Sequence, residues 1–473
     1  MTDLRSLTNT LEDRGDLVRI SRQVDPRYEM PAVMAKLEAA GKAFLFEHVR
    51  GSPFPVAGGF FNRFERVALG LGVDTGGVSF THDHLDGLIE SAKTAPVPFQ
   101  RVAGGPAAEI VHLGNDINLL ELPVPHFFEH DSGPFITAAV GIARHPGTGV
   151  LNAGFYRALI LDRDTCVINA SSLSDLRRFY EHADQHGVEM PIALAIGVEP
   201  AVMASAACKL PPTVSEFDVA GGLKGRPVEL MPARTSDLLV PAAAEIIIEG
   251  KVDFSRRVEN VMGEYAGQYG PEIAPVTKVT AITHRRDPVF YSIMAGRSPE
   301  HNNIGAIAVY GIRRDIATRL QQLSPAIKRV NVFTDARLGP MVHIAIAMDK
   351  TTDDEPRELI HKAFGLSGSI FPLSRIARRI VVVDTDVDTD SLEDIEWAIW
   401  TRVAEAEKVI VIPNVESWEL DRASVAGRGS MRIGIDATMD AKLRTTLARP
   451  IIPGADQIDL ASYINAPGVP RMD

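Results

Sequence analysis

A chain of 473 residues is too long for one ordinary hydrophobic core and predicts two or three domains. Its 45% hydrophobic and 23% charged residues are ordinary globular values, so long disorder is not expected. A net charge of −12 disfavours nucleic acid as a partner and requires any anionic ligand to be held locally, by arginines, backbone N–H groups or a metal ion.

Leu4, Leu7 and Leu11 lie at helical spacing and predict a helix ending at Arg14-Gly15. Leu17–Ile20 reads as a strand, 29–40 as a helix, Ala43–Val49 as an apolar strand and 63–71 as another helix. Together these form an α/β unit of roughly 100 residues. Prolines 96, 98, 106, 123 and 125 mark a loop-rich boundary. Two strands follow, Ile136–His145 and Leu151–Asp162, joined by Pro146-Gly147-Thr148-Gly149 as a hairpin. Further strands are expected at Cys166–Ala170, Ile192–Gly197, Val228–Met231 and Glu245–Glu249. A second hairpin is expected from Val276–His284, the turn Arg285-Arg286-Asp287-Pro288, and Val289–Ala295. This β-rich middle favours a barrel-like sheet. The last third alternates: a helix at 303–323, strands at 327–334 and 342–348, a helix at 356–364, the strand Ile380–Asp384, a helix at 391–405 and the strand Val409–Ile412. That order predicts a mostly parallel sheet covered by helices.

Cys166 and Cys208 form no C-x-x-C pair, which disfavours a zinc ribbon, a redox dithiol or a disulfide framework and fits a reducing compartment. Met1-Thr2-Asp3-Leu4-Arg5 opens no signal peptide, and no apolar run approaches the ~20 residues of a membrane helix. A cytoplasmic location is expected. There is no phosphate-binding G-x-x-x-x-G-K-[ST] loop, no H-E-x-x-H helix and no G-x-S-x-G elbow. Gly70-Leu71-Gly72 ends a helix and is no dinucleotide fingerprint.

Three segments carry candidate chemistry. Asn152-Ala153-Gly154-Phe155-Tyr156-Arg157 lies in a strand; its plain reading is a half-buried hairpin strand with Arg157 in solvent. In Ser215-Glu216-Phe217-Asp218-Val219-Ala220-Gly221-Gly222, a carboxylate before a glycine-rich bend is either a cation ligand or a turn residue. In Glu259-Asn260-Val261-Met262-Gly263-Glu264-Tyr265, two carboxylates lie five apart. A regular helix or strand would point them away from each other, and only a loop, which Gly263 permits, would bring them together. Two solvated glutamates are the alternative. A close pair would split its pKa values and keep one carboxyl protonated as an acid.

In this order the three segments resemble the signature of the UbiD-like decarboxylases, the group of ferulic acid, 3-octaprenyl-4-hydroxybenzoate and protocatechuate decarboxylases. Flanking pieces agree: Asp131-Ser132-Gly133-Pro134-Phe135-Ile136-Thr137, Arg226–Leu230, Val240–Ile246, Val383–Asp388, Trp397-Ala398 and Gly434–Thr438. The resemblance spans nearly the whole chain.

The resemblance implies an α/β fold of three domains: an N-terminal α/β domain (1–108), a central flavin-binding split β-barrel (109–300) and a C-terminal α/β oligomerisation domain (301–473). It implies a homodimer or homohexamer. It implies prenylated FMN, supplied by a separate flavin prenyltransferase, with Mn²⁺ (or Mg²⁺) bridging its phosphate and K⁺ nearby. Of the family's Asn, His and Glu metal ligands, Asn152 and Glu216 match two, and Ser172 stands where histidine is usual. Phe155, Tyr156, Arg157, Ala170, Ser171, Ser172 and Arg378 join Asn152 and Glu216 as the implied cofactor contacts. In the implied catalytic trio, Arg157 clamps the substrate carboxylate, Glu259 orients that arginine and Glu264 is the general acid. The implied reaction is reversible decarboxylation of an aromatic, heteroaromatic or α,β-unsaturated acid, releasing carbon dioxide. An FMN reductase on the same core and a non-catalytic subunit are the other classes to weigh.

Overall fold

The structure is a computed structural model that describes residues 3–459, except 74, 76–78, 173, 212–213, 336–337, 368–371 and 425–427, and also residue 463. Leu4, Leu7 and Leu11 form the buried stripe of the first helix, Leu4–Asp13. Asp3 caps it, accepting the Ser6 N–H at 2.7 Å. The strand Leu17–Ile20 then runs parallel to Ala43–Phe46, across the helix Glu29–Ala39, and Val56–Gly58 pairs antiparallel beside it.

The fourth strand of this sheet is Phe290–Tyr291, parallel to Val56–Gly58. That corrects the expected second hairpin. Tyr269–His284 pairs along its length with Ile246–Gly263, and its other edge carries Thr165–Ile168 and Ile110–Leu113. No edge is left for Val289–Ala295, and the chain returns to the first sheet instead. The long antiparallel pair Ile246–Gly263 and Tyr269–His284 is the hairpin the middle third does contain.

The central sheet has nine strands, and its two ends are joined by the chain itself. Leu151–Phe155 lies at one end beside Ala139–Arg144, and Ala158–Ile160 lies at the other between Phe135–Ile136 and Thr165–Ile168. Only Tyr156 and Arg157 separate the two strands, so the sheet must curl until its ends meet. The predicted strand Leu151–Asp162 is thus two strands, broken where the motif ends. The predicted strand Ile136–His145 is likewise two, Phe135–Ile136 and Ala139–Arg144. The expected 146–149 turn does join a hairpin.

The C-terminal sheet has five strands. Val342–Met348, Ala377–Asp384 and Ser430–Ala437 are parallel neighbours, and Ile327–Phe333 and Val409–Val415 pair antiparallel at the two edges. The mostly parallel sheet expected there is therefore mixed. Ile344, Ile346, Ile380 and Val382 face one core, and Ala345, Ala347, Val381 and Val383 face another, so both sides are covered. The helix Pro299–Gln321 links this domain to the central sheet. Among the described residues no helix is long and apolar enough to cross a membrane.

Candidate active site

The Asn152–Arg157 motif is built around one ring. The Tyr156 side chain lies over Gly141 and Gly154. A Cβ at Gly141 would meet a ring carbon at 2.5 Å and one at Gly154 the hydroxyl oxygen at 2.9 Å, so both must be glycine for the tyrosine to lie there. The Tyr156 hydroxyl donates to Asn152 Oδ1 at 3.1 Å, and burial pushes its pKa up, keeping the phenol neutral. The next residue, Arg157, turns into the gap between the two ends of the sheet.

There it meets Glu264. Its two terminal nitrogens donate to the two carboxylate oxygens, each at 2.9 Å, in a planar fork. Glu264 starts the turn of the long hairpin: its N–H donates to Gln268 O at 2.6 Å, and Gly267, at φ +82°, completes the turn. Asp131 and Ser132, from a flanking segment of the signature, pin the strand leading there. Gly263 N–H donates to Asp131 at 2.8 Å, and Val261 N–H to the Ser132 hydroxyl at 2.8 Å. Burial pushes the Glu264 carboxyl up, but the charge and hydrogen bonds of Arg157, with Arg422 behind, hold it below the usual carboxylate range.

The arginine's partner is Glu264 and not Glu259. The strand stays regular through Gly263, so Glu259 is an exposed residue paired with Ile273, while Asn260, Met262 and Glu264 are buried. The loop needed for the two carboxylates to converge is absent. The inward position goes to Asn260, which exchanges amide hydrogen bonds of 2.8 and 3.1 Å with Asn169.

Arg157, Glu264, Asn169, Phe155 and Tyr156 line a cavity of about 180 Å³. Glu272 lines it too, bound to Arg177 at 2.8 Å and pushed up by burial. A second cavity of about 350 Å³ shares Phe155, Tyr156, Ser171, Ser174, His301 and Leu420 with the first, so the two form one cleft. Asn152 and Glu216 lie in its wall, among apolar side chains such as Ile304, Val309, Ile312 and Trp418. Glu216 opens a helix, Glu216–Lys224, where the sequence suggested a bend. The glycines are there for packing: a Cβ on Gly221 would meet Val97 O at 2.2 Å. The Glu216 carboxylate accepts long hydrogen bonds from Asn152 Nδ2 at 3.4 Å and Ala153 N–H at 3.3 Å, and burial pushes its pKa up to about 7.

Other expected contacts fall outside the cleft walls. Ala170 is buried, and its carbonyl accepts from Arg177 at 2.9 Å. Ser172 is exposed, with its N–H on Glu419 at 3.0 Å, while Ser171 and Ser174 take the lining positions. Arg378 lines neither cavity and bonds Asp421 at 2.9 Å.

Three cleft residues carried no signal strong enough to find. Lys209 lines the larger cavity beside Glu216, bound to Asp175 at 2.8 Å, and burial lowers it to about 8. A lone lysine between helices says nothing by itself. His301 lines both cavities from the first turn of Pro299–Gln321; burial, then Arg157, lowers it to about 4, so the ring is neutral. A histidine in a first helical turn, where the dipole disfavours its charge, was the one available hint. Arg422 arrives from the C-terminal domain.

Comparison with known proteins identifies the family. The chain matches the 3-octaprenyl-4-hydroxybenzoate carboxy-lyase N-terminal domain over residues 8–78, the Rift-related domain over 100–298 and the C-terminal domain over 308–437. These define a carboxy-lyase, and the chain belongs to the UbiD family. The UbiD-class enzyme HmfF from Pelotomaculum thermopropionicum, solved with FMN, is 33% identical, covering 98% of this chain and 100% of its own, with a TM-score of 0.81. An evolved dimeric form of HmfF, solved with prFMN, is 32% identical, covering 98% and 99%, with a TM-score of 0.76. Vanillic acid decarboxylase of Sedimentibacter hydroxybenzoicus is 26% identical, covering 98% and 99%, with a TM-score of 0.80. A protein of Archaeoglobus fulgidus is 30% identical over 458 residues, 92% of this chain and 91% of its own.

Proposed function

We propose that the protein is a reversible, non-oxidative decarboxylase of an aromatic, heteroaromatic or α,β-unsaturated acid, working on prenylated FMN in the two-part cleft. The observation that carries this reading is the fork of half-buried Arg157 on buried Glu264. A guanidinium held planar in the cleft wall is a site for a second carboxylate, and the substrate supplies one. When the substrate carboxylate takes the fork, Glu264 loses its principal counter-charge and its pKa rises. It can then bind a proton and hand it to the carbon that has lost carbon dioxide. The neutral His301 beside it adds no competing cation.

Prenylated FMN, when bound, supplies the electron sink for the pair of electrons left by departing carbon dioxide. The cleft fits such a group: its larger part is walled by apolar side chains and ends in Asn152, Glu216 and Lys209. The under-bonded, buried Glu216 carboxylate is suited to a hard divalent cation, with Asn152 as the second oxygen ligand. Among the described residues no cluster of three His, Cys, Asp or Glu side chains is placed to hold a metal. Mn²⁺ or Mg²⁺ would therefore rest on these two residues and on the cofactor phosphate, with Lys209 adding positive charge. K⁺ is a further candidate ion at this end.

We further propose a homodimer or homohexamer, a flavin prenyltransferase as cofactor supplier, and a cytoplasmic setting in which the buried Cys166 and Cys208 thiols stay reduced. Segments 1–108, 109–300 and 301–473 are the proposed domains. Hydride transfer by plain FMN is the weaker reading, because it leaves the Arg157–Glu264 fork without a task. Carbon dioxide release against NAD(P)H consumption, measured on a panel of such acids, tests the proposal. Pyridine nucleotide oxidation without carbon dioxide would replace it.

A further inference from the structure

Glu264 has a second arginine beside it, brought from the other side of the cleft. Arg422 Nη2 lies 3.9 Å from Glu264 Oε1, the oxygen that already accepts from Arg157 at 2.9 Å. That distance is an ion pair without a hydrogen bond. Arg422 Nε is buried and has no hydrogen-bond partner among the described residues, so its place is not explained by hydrogen bonding there.

Gly270 makes the approach possible. A Cβ there would stand 2.4 Å from Arg422 Nη2 and 2.6 Å from Glu264 Oε1. Gly270 is not in the left-handed region, so the backbone does not demand glycine; the meeting of the two side chains does. The residues just before Arg422 are anchored to two domains. Asp421 accepts from Arg378 at 2.9 Å and from the Ser430 hydroxyl at 2.6 Å on the C-terminal domain, and Glu419 accepts the Ser172 N–H at 3.0 Å on the central one. Arg378, expected at the cofactor, thus steadies the loop that delivers Arg422.

We propose that Arg422 is a positioning residue, supplied by the C-terminal domain, that sets the pH above which Glu264 can no longer act as the proton donor. The inference rests on the decarboxylase reading above. Among the described residues, five groups face Glu264. They are Arg157 from the break in the central sheet, Arg422 from the C-terminal loop, neutral His301 from the linking helix, Tyr265 next in the chain, and Glu272 from the opposite strand, bound to Arg177. A substrate carboxylate neutralises Arg157, which leaves Arg422 as the cation still acting on Glu264. Its charge favours the ionised carboxylate, and the ionised carboxylate has no proton to give. Arg422 thereby ties the acid's working range to the placement of the C-terminal domain.

The test is the pH–rate profile of holoenzyme on one accepted acid, for wild type, Arg422→Gln and Arg422→Lys. An opposite charge at such range typically moves a carboxyl by about 1–3 pH units. Activity falls on the alkaline side as Glu264 ionises, so Arg422→Gln should carry that limb upward by about one unit or more. Arg422→Lys should hold it near the wild-type position. A general structural lesion would lower the profile without moving it. The proposal is overturned if the limb of Arg422→Gln stays in place or moves down, or if lysine behaves as glutamine does. Wild-type holoenzyme that releases no carbon dioxide from any acid would overturn the decarboxylase reading instead.

Discussion

The two ends of the cleft handle negative charge in opposite ways. At the smaller end, Glu264 is bonded twice to Arg157, with Arg422 close by, and lies below the usual carboxylate range. At the larger end, Glu216 is equally buried but the amide and backbone N–H it accepts from lie at 3.3–3.4 Å, and its pKa rises to about 7. One end is internally neutralised by its arginine fork. The other holds its carboxylate weakly, with Lys209 beside it, and under the proposed function would take a cation.

The largest effect should come from removing the charged end's proton. Glu264→Gln keeps the shape and should lower turnover by ~10²–10⁴-fold with the fold intact. Arg157→Lys should be similarly severe, because a point charge cannot replace the planar fork. Unchanged turnover in Glu264→Gln would move the proton donor elsewhere and dissolve the contrast between the two ends.

The next effect belongs to the other end. Holoenzyme should contain about one divalent ion per chain by elemental analysis, and prolonged chelation should release flavin. Glu216→Gln should weaken metal retention by roughly 10–100-fold. Flavin-loaded, active protein without stoichiometric metal would leave Lys209 as the cation that serves there.

A sharper comparison lies between neighbours in one strand. Glu259→Gln alters an exposed residue that makes no hydrogen bond or ion pair among the described residues. It should reduce turnover at least tenfold less than Glu264→Gln, and leave stability within about 0.5 kcal/mol. Equal losses in the two variants would restore Glu259 to the site.

The smallest effect is on stability, beneath the helix that presents His301. Glu38 and Glu300 are buried together, and Glu300 N–H donates to Glu38 at 3.1 Å. Burial, and for Glu38 the neighbouring Glu300 charge, raise both above the ordinary value. The folded state therefore holds a proton more tightly than the unfolded one. That contribution is fully present below the unfolded pKa near 4.5 and is lost as pH rises toward the folded pKa. Glu38→Gln should raise the melting temperature at pH 7.5, by an amount equivalent to roughly 1 kcal/mol, and change it less at pH 4.5. A lower melting temperature at pH 7.5 would contradict this.

Much of the cleft was legible because its residues are local. Asn152, Gly154, Tyr156 and Arg157 fall within six residues, so the motif could be recognised whole, while Gly141, the other half of the glycine bed, comes from the neighbouring strand. The partner of Arg157 was not legible. It depends on whether the chain through Glu259 stays a strand, and only the pairing with Tyr269–His284 decides that. Glycine misled in another segment: Gly221-Gly222 reads as a bend, but serves close packing against Val97, Ala92 and Ala95 in a helix. The fate of Val289–Ala295 turned on an edge already occupied by Ile110–Leu113, a fact of tertiary pairing. Lys209 and Arg422 reach the cleft from separate elements, and no local pattern marks either.

The central claim is that a modified flavin and the Arg157–Glu264 pair together release carbon dioxide. It is tested most directly by producing the protein with and without a flavin prenyltransferase and measuring carbon dioxide release from the same acids. The account predicts decarboxylation, with an altered flavin absorption, only in the protein made with the transferase. Full activity in protein carrying plain FMN would contradict it.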